Sequence, residues 1–214
     1  FYLVKNKIIF KKMEKSYTYG KKVYFAIEEV LKKILDEQNN GSQHFPPYSK
    51  ALEEIQNGEK TSHWIWYVWP AHKKLRSGTS RPEFLLKSLE MHEKYLGHPT
   101  LYERLIEITK VATEKLTSGV KPRKLFGSEI DYKKFKETTT LFFIVSFEEY
   151  QNPKYISKEK TKEAYVTFRN AIIASNKGNF DQRTMIEVIN KNQTYKKYNE
   201  YTKANDVIES YSTS

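Results

Sequence analysis

The stretch that decides the fold of this chain is Lys60-Thr-Ser-His-Trp-Ile-Trp-Tyr-Val-Trp-Pro70. It holds all three tryptophans, Trp64, Trp66 and Trp69, and it places His63 at its polar edge. A buried tryptophan removes about 150–250 Å² of surface from water, so rings this close together must organise a core or line a pocket. We expect a short helical turn that ends before Pro70. A buried strand is the alternative, because a run that is apolar on all sides has no diagnostic period.

The composition is typical of one domain of ordinary size. The chain has 214 residues, of which 38% are hydrophobic and 14% aromatic, so bulky rings supply much of the buried surface. Cysteine is absent, which excludes disulfides, thiolate zinc sites and a cysteine nucleophile. No apolar run is long enough to cross a bilayer, and no signal peptide is recognisable. The sequence therefore predicts a cytoplasmic or nuclear protein with no membrane partner.

The charge is strongly basic, with a net value of +11. Such a charge attracts nucleic acid or another polyanion, whereas a lysine-rich composition also follows from a biased genome. Both interpretations stay open at this stage. Arginine is the better residue for bidentate phosphate recognition, and the chain contains only six arginines. They are Arg76, Arg81, Arg104, Arg123, Arg169 and Arg183.

Helical periodicity dominates the chain and predicts an all-α fold. Apolar residues recur at helical spacing, with charged residues on the opposite face. The stripes fall in residues 23–35, 48–55, 85–96, 101–116, 132–146, 161–172 and 185–189. Thr61 or Ser62 is expected to cap the tryptophan turn, and Asp181 to cap the last short helix. Leu141 to Phe147 is open to a strand interpretation, because three threonines precede it.

These patterns predict a single compact multi-helix domain with additions at both ends. The domain is expected over residues 45–192. An N-terminal extension with an amphipathic helix covers residues 1–44, and a polar tail rich in tyrosine and lysine covers residues 193–214. The tail is expected to be a surface helix or a frayed end.

A family resemblance emerges from Leu52-Glu-Glu-Ile55, Gly58, Lys60 and the segment from Ser62 to Pro70. These residues resemble the signature of the bacterial domain of unknown function 1810 family, which usually has Ser-His-Trp-Met-Trp-Phe, two apolar residues and a proline. The resemblance covers about residues 48–190 and implies a compact α-helical fold with no established activity. The calpastatin label attached to some members finds no support in these residues. The likeness continues through Ser88-Leu89, Tyr95-Leu96, His98-Pro99, Leu101, Arg104-Leu105, Phe126-Gly127, Asp131, Thr140-Leu-Phe142, Asp181 and Thr184-Met185.

The chain also departs from the family pattern. The opening Phe-x-x-Ala-Gln element is not evident before Tyr48, since Gln38 and Gln43 stand in different surroundings. Ala71 replaces the usual glutamine after the signature proline, and lysine-rich sequence replaces the glycine-rich loop that follows. If that glutamine or loop binds a ligand in the family, this member binds differently.

His63 is the best candidate for acid–base chemistry. An imidazole between a hydroxyl residue and a large ring can be tuned near neutrality and act as a general base, with Asp131 or Asp181 orienting it. The alternative is a structural histidine whose nitrogens bond to backbone carbonyls. Ser62 lacks the Gly-x-Ser-x-Gly setting of a nucleophile, so a helix cap is its expected role. The histidine spacings match no zinc pattern, so no metal is expected.

The turn before Gly127 and Ser128 is the best candidate for binding an anion. A glycine followed by a helix N-terminus presents free N–H groups to a phosphate, and Arg123 with its neighbouring lysines adds attraction. A solvated basic turn is the alternative. Arg183, close to Asp181, is a further candidate phosphate clamp.

We therefore expect a pocket lined by histidine and tryptophan that binds or hydrolyses a nucleotide or an ADP-ribose-type phosphorylated small molecule, without a cofactor. Trp64 and Trp66 should be largely buried, and a cavity should reach His63. The alternatives are a non-catalytic nucleic-acid-binding module and a protein-interaction domain. Neither an enzymatic role nor an oligomeric state follows from the sequence. The candidate catalytic residues are His63 and Asp181, and the candidate ligand-binding residues are Lys60, Ser62, Trp64, Trp66, Arg123, Gly127, Ser128 and Arg183.

Overall fold

The structure, a computed structural model, describes residues 26–212 and is built from helices joined by short connections. Within that range the backbone forms no β-strand, only three isolated β-bridges. The all-α prediction is therefore confirmed for this part of the chain. The first residues of the predicted N-terminal stripe, which starts at Val23, lie outside it. No helix in the described range is both long and apolar enough to cross a membrane.

The helices follow a simple order along the chain. They are α1 (residues 26–40), α2 (Tyr48–Gln56), α3 (Ile65–Val68), α4 (Leu89–Gly97), α5 (Pro99–Thr117), α6 (Pro122–Leu125), α7 (Glu129–Gln151), α8 (Lys158–Asn176), α9 (Gln182–Thr184) and α10 (Ala204–Ser212). Two 3-10 helices, Pro82–Phe84 and Lys196–Glu200, and one π-helix, Met185–Ile189, complete the described elements.

Helix α7 is the centre of the domain. It has 23 residues and contacts α4, α6, α8 and α9, and at 1.5 Å per residue it is about 35 Å long. Residues 137–149 are all buried, including Leu141 to Phe147. A helix covered on every side has no apolar stripe, which explains why this run resembled a strand in the sequence. The strand interpretation is wrong, because the segment is helical throughout.

The tryptophan turn is helical, as the sequence predicted, but its cap differs from the prediction. Helix α3 ends before Pro70, and Trp64 is its N-cap residue without any side-chain capping bond. The predicted cap by Thr61 or Ser62 is therefore wrong, since both residues face Glu54 instead. The other predicted cap is confirmed, because the Asp181 carboxylate accepts a hydrogen bond from the Thr184 backbone N–H at 2.8 Å.

The segment that follows the π-helix packs on the domain more closely than its polar composition suggests. Tyr195 and Tyr198 are 2% and 0% exposed, and Ala204 and Val207 are fully buried. The Tyr198 hydroxyl donates to Glu148 of α7 at 2.6 Å. These contacts hold the described part of the predicted tail on the C-terminal half of α7.

Candidate functional site

The signature segment is folded around the carboxylate of Glu54, a buried residue of α2. Its oxygens accept hydrogen bonds from the Ser62 hydroxyl at 2.6 Å, the Trp64 indole N–H at 2.7 Å and the Thr61 hydroxyl at 2.8 Å. The backbone N–H groups of Thr61 and Ser62 donate to it as well. Burial by itself would raise the pKa of Glu54, but the bonds from Ser62, Trp64 and Thr61 hold it at about 2. Ser62 is thus an anchor of the segment.

The three tryptophans have different environments. Trp64 and Trp69 are 0% exposed, and their ring centroids lie 5.6 Å apart. The Trp69 indole N–H donates to the Thr109 hydroxyl at 3.0 Å, and its ring meets Phe135 edge-on. The two rings that were predicted to be largely buried differ in degree, since Trp64 is fully buried and Trp66 is partly buried against the core. Of these three rings, Trp66 is the most exposed to solvent.

Beside Trp66 two lysines share one carboxylate, and we call Lys60, Asp131 and Lys134 the lysine cluster. The Lys60 and Lys134 amines lie 2.8 and 2.9 Å from the two Asp131 carboxylate oxygens. The side chains of Lys60, Asp131 and Lys134 are only 6%, 14% and 4% exposed. The Lys134 amine also lies 3.3 Å from the centroid of the Trp66 ring, and the Lys60 amine 5.2 Å from that of Trp64.

The electrostatics of the lysine cluster favour the charged form of Asp131 and disfavour the charged form of Lys134. Burial opposes ionisation of Asp131, but the bonds from Lys60 and Lys134 lower its pKa below the usual value. Burial lowers the pKa of Lys134, and the charges of Arg76 and Lys60 add to that effect against the attraction of Asp131. Two buried cations therefore compete for one anion.

One helical turn further along α7, a second charged group surrounds Glu137. Arg76 binds this carboxylate with two parallel hydrogen bonds of 3.0 Å each, from Nε and Nη2. Arg183 lies 3.9 Å from it, with a side chain that is 55% exposed. Burial raises the pKa of Glu137 and the charge of Asp181 adds to this, while Arg76 and Arg183 oppose it.

Gly127 and Ser128 position the lysine cluster. Gly127 has a φ of +73°, and a Cβ there would lie 2.8 Å from the Lys60 carbonyl oxygen, so this close approach requires glycine. The Ser128 hydroxyl caps α7 by accepting from the Asp131 N–H at 3.1 Å. The Lys60 N–H donates to the Leu125 carbonyl at 3.1 Å. These contacts bring Lys60 against the first turn of α7.

The structure does not pair His63 with an aspartate. His63 is exposed, and among residues 26–212 it forms no hydrogen bond with Asp131 or Asp181. The alternative of a histidine held by backbone carbonyls is not found within that range either. Asp181 caps α9, where its Oδ1 also accepts from the Thr184 hydroxyl at 2.8 Å. Arg123 is exposed on α6 and has no ion pair within the described residues.

The cavity that was expected at His63 is not one of the three main cavities in residues 26–212. Cavities lie between α5 and α8, beside α1, and beside α9, and none of these three is lined by His63. The imidazole is nevertheless exposed to solvent.

The charged groups that sequence reasoning missed are Glu54, Arg76, Lys134 and Glu137. Lys134 carried a weak signal, since it stands three residues after Asp131 and so shares its helix face. Arg76 and Glu137 are 61 residues apart, and no local pattern connects them.

The chain belongs to a family of proteins of unknown function. The model of that family, DUF1810, matches residues 28–187, which are 160 of the 214 residues. The match begins in α1, earlier than the sequence resemblance, and it includes Gln38. The Gln38 amide donates to the Tyr67 carbonyl at 2.7 Å and accepts from Arg104 at 3.2 Å. Helix α1 is thereby tied directly to the signature segment.

A solved structure has the same fold. The conserved hypothetical protein Rv1873 from Mycobacterium tuberculosis, known from a crystal structure, is 25% identical to this chain, with a TM-score of 0.56. The similarity covers 75% of this chain and 97% of that one. A search of curated proteins returned no match. The comparisons therefore support the family and the fold and assign no activity.

Proposed function

We propose that this domain binds a phosphorylated small molecule of the nucleotide or ADP-ribose type beside Trp66. The observation that carries the proposal is the lysine cluster, in which buried Lys60 and Lys134 share only Asp131 next to a partly exposed ring. Perturbed ionisable groups of this kind are more common at functional sites than elsewhere.

The charge balance favours an anion as the ligand. Lys60, Lys134, Arg76 and the half-exposed Arg183 carry four positive charges, whereas Asp131, Glu137 and the neighbouring Asp181 carry three negative ones. The remaining positive charge is on the exposed side of the group, at Arg183, where an anion can approach it. A phosphate approaching from the side of Arg183 would supply negative charge, together with oxygens that accept from the guanidinium.

Trp66 is the candidate for the planar part of the ligand. Stacking of a base on an aromatic side chain contributes about 1–3 kcal/mol. Lys134 beneath Trp66 and Glu137 beside Arg183 are three positions apart on α7, which is a rise of about 4.5 Å. A ribose between base and phosphate bridges a separation of this order, so a nucleotide fits the arrangement better than inorganic phosphate.

Hydrolysis is the finer part of the proposal and depends on His63. Its imidazole has no partner among the described residues and stands in solvent beside the segment that carries Trp66. A general base must lie within hydrogen-bond reach of the water that it activates, and His63 is the exposed imidazole of this segment. His63→Gln should therefore leave binding intact and abolish turnover.

Titration of AMP, ADP, ADP-ribose and inorganic phosphate by calorimetry and tryptophan fluorescence tests the binding. We expect quenching of Trp66 emission and loss of that signal in Trp66→Phe. Arg183→Gln should weaken nucleotide binding about tenfold or more, because it removes a hydrogen bond between charged groups. Arg169→Gln is the matched control, since among residues 26–212 the Arg169 guanidinium donates to the neighbouring Asn170 side chain and to no other group.

The same titration separates the alternatives. Equal affinity of Arg183→Gln and wild type for every nucleotide would contradict the proposed site. Binding of single-stranded DNA or RNA that collapses between about 50 and 200 mM salt, without mononucleotide binding, would favour the nucleic-acid-binding module instead.

A further inference from the structure

A groove of about 200 Å³ lies on the side of the domain formed by α9, the π-helix and the residues before α10. Phe180, Met185 and Tyr201 give it an apolar surface, while Gln182, Asn199 and Thr202 add polar groups. None of its lining residues is charged. An apolar concave surface with a few polar groups is the general form of a small-molecule site.

The groove contains two carboxamide groups, those of Gln182 and Asn199, that are available to bind a ligand. The side chains of Gln182 and Asn199 form no hydrogen bond within the described part of the chain. The neighbouring Asn179 behaves differently, because its amide donates to the Asn176 carbonyl at 3.0 Å. A carboxamide presents a donor and an acceptor side by side, which matches the edge of a nucleobase.

One wall of the groove is held by backbone hydrogen bonds, and the other wall includes the start of a π-helix. The Phe180 N–H donates to the Thr202 carbonyl at 2.9 Å, and an antiparallel β-bridge pairs Asn179 with Lys203. The opposite wall begins the π-helix Met185–Ile189, where Ile186 is 56% exposed. Single turns of π-helix are rare and are frequently found at functional sites.

We infer that this groove is a second ligand site, which takes an uncharged planar group with adjacent donor and acceptor atoms, such as the base of a nucleoside. Its volume is below the range of about 300–1,000 Å³ that holds drug-sized ligands, so a base fits and a dinucleotide does not. Tyr201 and Ile186, the more exposed apolar residues of the lining, contact its faces, and Gln182 and Asn199 bind its edge. This site is independent of the proposed phosphate site.

The test is an NMR titration of the ¹⁵N-labelled protein with adenosine, and with ribose as the probe that lacks a base. We expect adenosine, and not ribose, to shift the amide signals of residues 179–186 and 199–202 at millimolar concentration. Gln182→Ala and Asn199→Ala should each weaken adenosine binding about two- to tenfold, the value of one neutral hydrogen bond. Both side chains are exposed, so neither variant should lower the melting temperature.

Asn170→Ala is the control, because Asn170 lines the separate groove between α5 and α8. The inference is overturned if adenosine causes no shift in residues 179–186 and 199–202 at millimolar concentration, or if both variants show these shifts at the wild-type concentration, whereas shifts near Lys134 report on the proposed site at Trp66. Arg183→Gln should not change adenosine binding, so failure of the phosphate site and failure of this groove give different results.

Discussion

The two ends of α7 both carry buried charged side chains, but their charges are balanced differently. At the N-terminal end Lys60 and Lys134 share Asp131, and Glu137 lies against two arginines. Cations are in excess there, and the partly exposed Trp66 adjoins them. This end can accept an anion.

At the C-terminal end two carboxylates, those of Glu93 and Glu148, accept hydrogen bonds from tyrosine hydroxyl groups. Tyr195 donates to Glu93, and Tyr198 donates to Glu148 at 2.6 Å. Burial raises the pKa of both tyrosines, and the adjacent glutamates raise it further, so the phenols stay protonated donors. Lysine amines approach the same carboxylates from the surface. One helix therefore supports two kinds of carboxylate site, one bound by lysine and arginine side chains and one bound by tyrosine hydroxyls and surface lysines.

The largest expected effect is at Asp131. Asp131→Ala leaves two buried lysines without their carboxylate, which should cost about 3–5 kcal/mol of the free energy of unfolding. Urea denaturation measures this. Glu148→Gln is the comparison at the other end, where a cost of about 1 kcal/mol is expected because Tyr198 can still donate to the new amide. Equal losses in the two variants would remove the contrast between the ends.

Between the ends, a stacked histidine pair should make the domain sensitive to acid. His72 and His92 have ring centroids 5.5 Å apart, and His92 also contacts Phe142 of α7. Burial lowers the pKa of His72 from 6.5 to about 3, with further lowering by His92 and Lys74. Burial lowers that of His92 to about 4, against the opposing bond to the Ser88 carbonyl.

The sign follows from proton uptake. Below about pH 6.5 both histidines become protonated in the unfolded chain but stay neutral in the folded protein, because their pKa values are lowered there. The free energy of unfolding therefore falls as the pH drops toward 4. Each histidine should contribute a loss of about 3 kcal/mol over two pH units. Denaturant titrations between pH 7 and 4 measure this, and His92→Phe should flatten the slope. An unchanged slope in that variant would contradict the assignment.

Trp66→Ala should have a smaller effect on stability than Trp64→Ala. Loss of a fully buried ring costs about 3–5 kcal/mol, whereas the partly exposed Trp66 should cost about 2 kcal/mol. Equilibrium unfolding in urea compares the two variants. Equal costs would indicate that Trp66 belongs to the core and is not free to bind a ligand.

The smallest effect is expected at an exposed ion pair away from both ends of α7. Lys110 and Glu163 are 2.7 Å apart, with side chains 49% and 43% exposed. Lys110→Gln should change the free energy of unfolding by less than about 0.5 kcal/mol, because solvent screens such pairs. This variant sets the baseline for the charge variants. A loss comparable to that of Asp131→Ala would show that burial does not decide the cost.

Local sequence patterns predicted much of the fold and part of the candidate site. The apolar stripes indicated the main helices. Lys60, Gly127 and Asp131 were among the residues that carried the family resemblance, and the structure places them close together. Asp181 was also correctly predicted as a cap. Such features depend on spacings of three or four residues, which a helix converts directly into a shared face.

What the sequence by itself determined is the helical class, the turn that carries the tryptophans and the family. Only the tertiary structure decided that Glu54 anchors that turn, that Trp66 is the accessible ring, and that Arg76 pairs with Glu137. Helices can be predicted from sequence because their apolar residues recur every three or four positions, within a single helical turn. The Arg76–Glu137 pair and the exposure of Trp66 depend on which elements cover α7. That arrangement joins residues far apart in the sequence, so no short-range pattern predicts it.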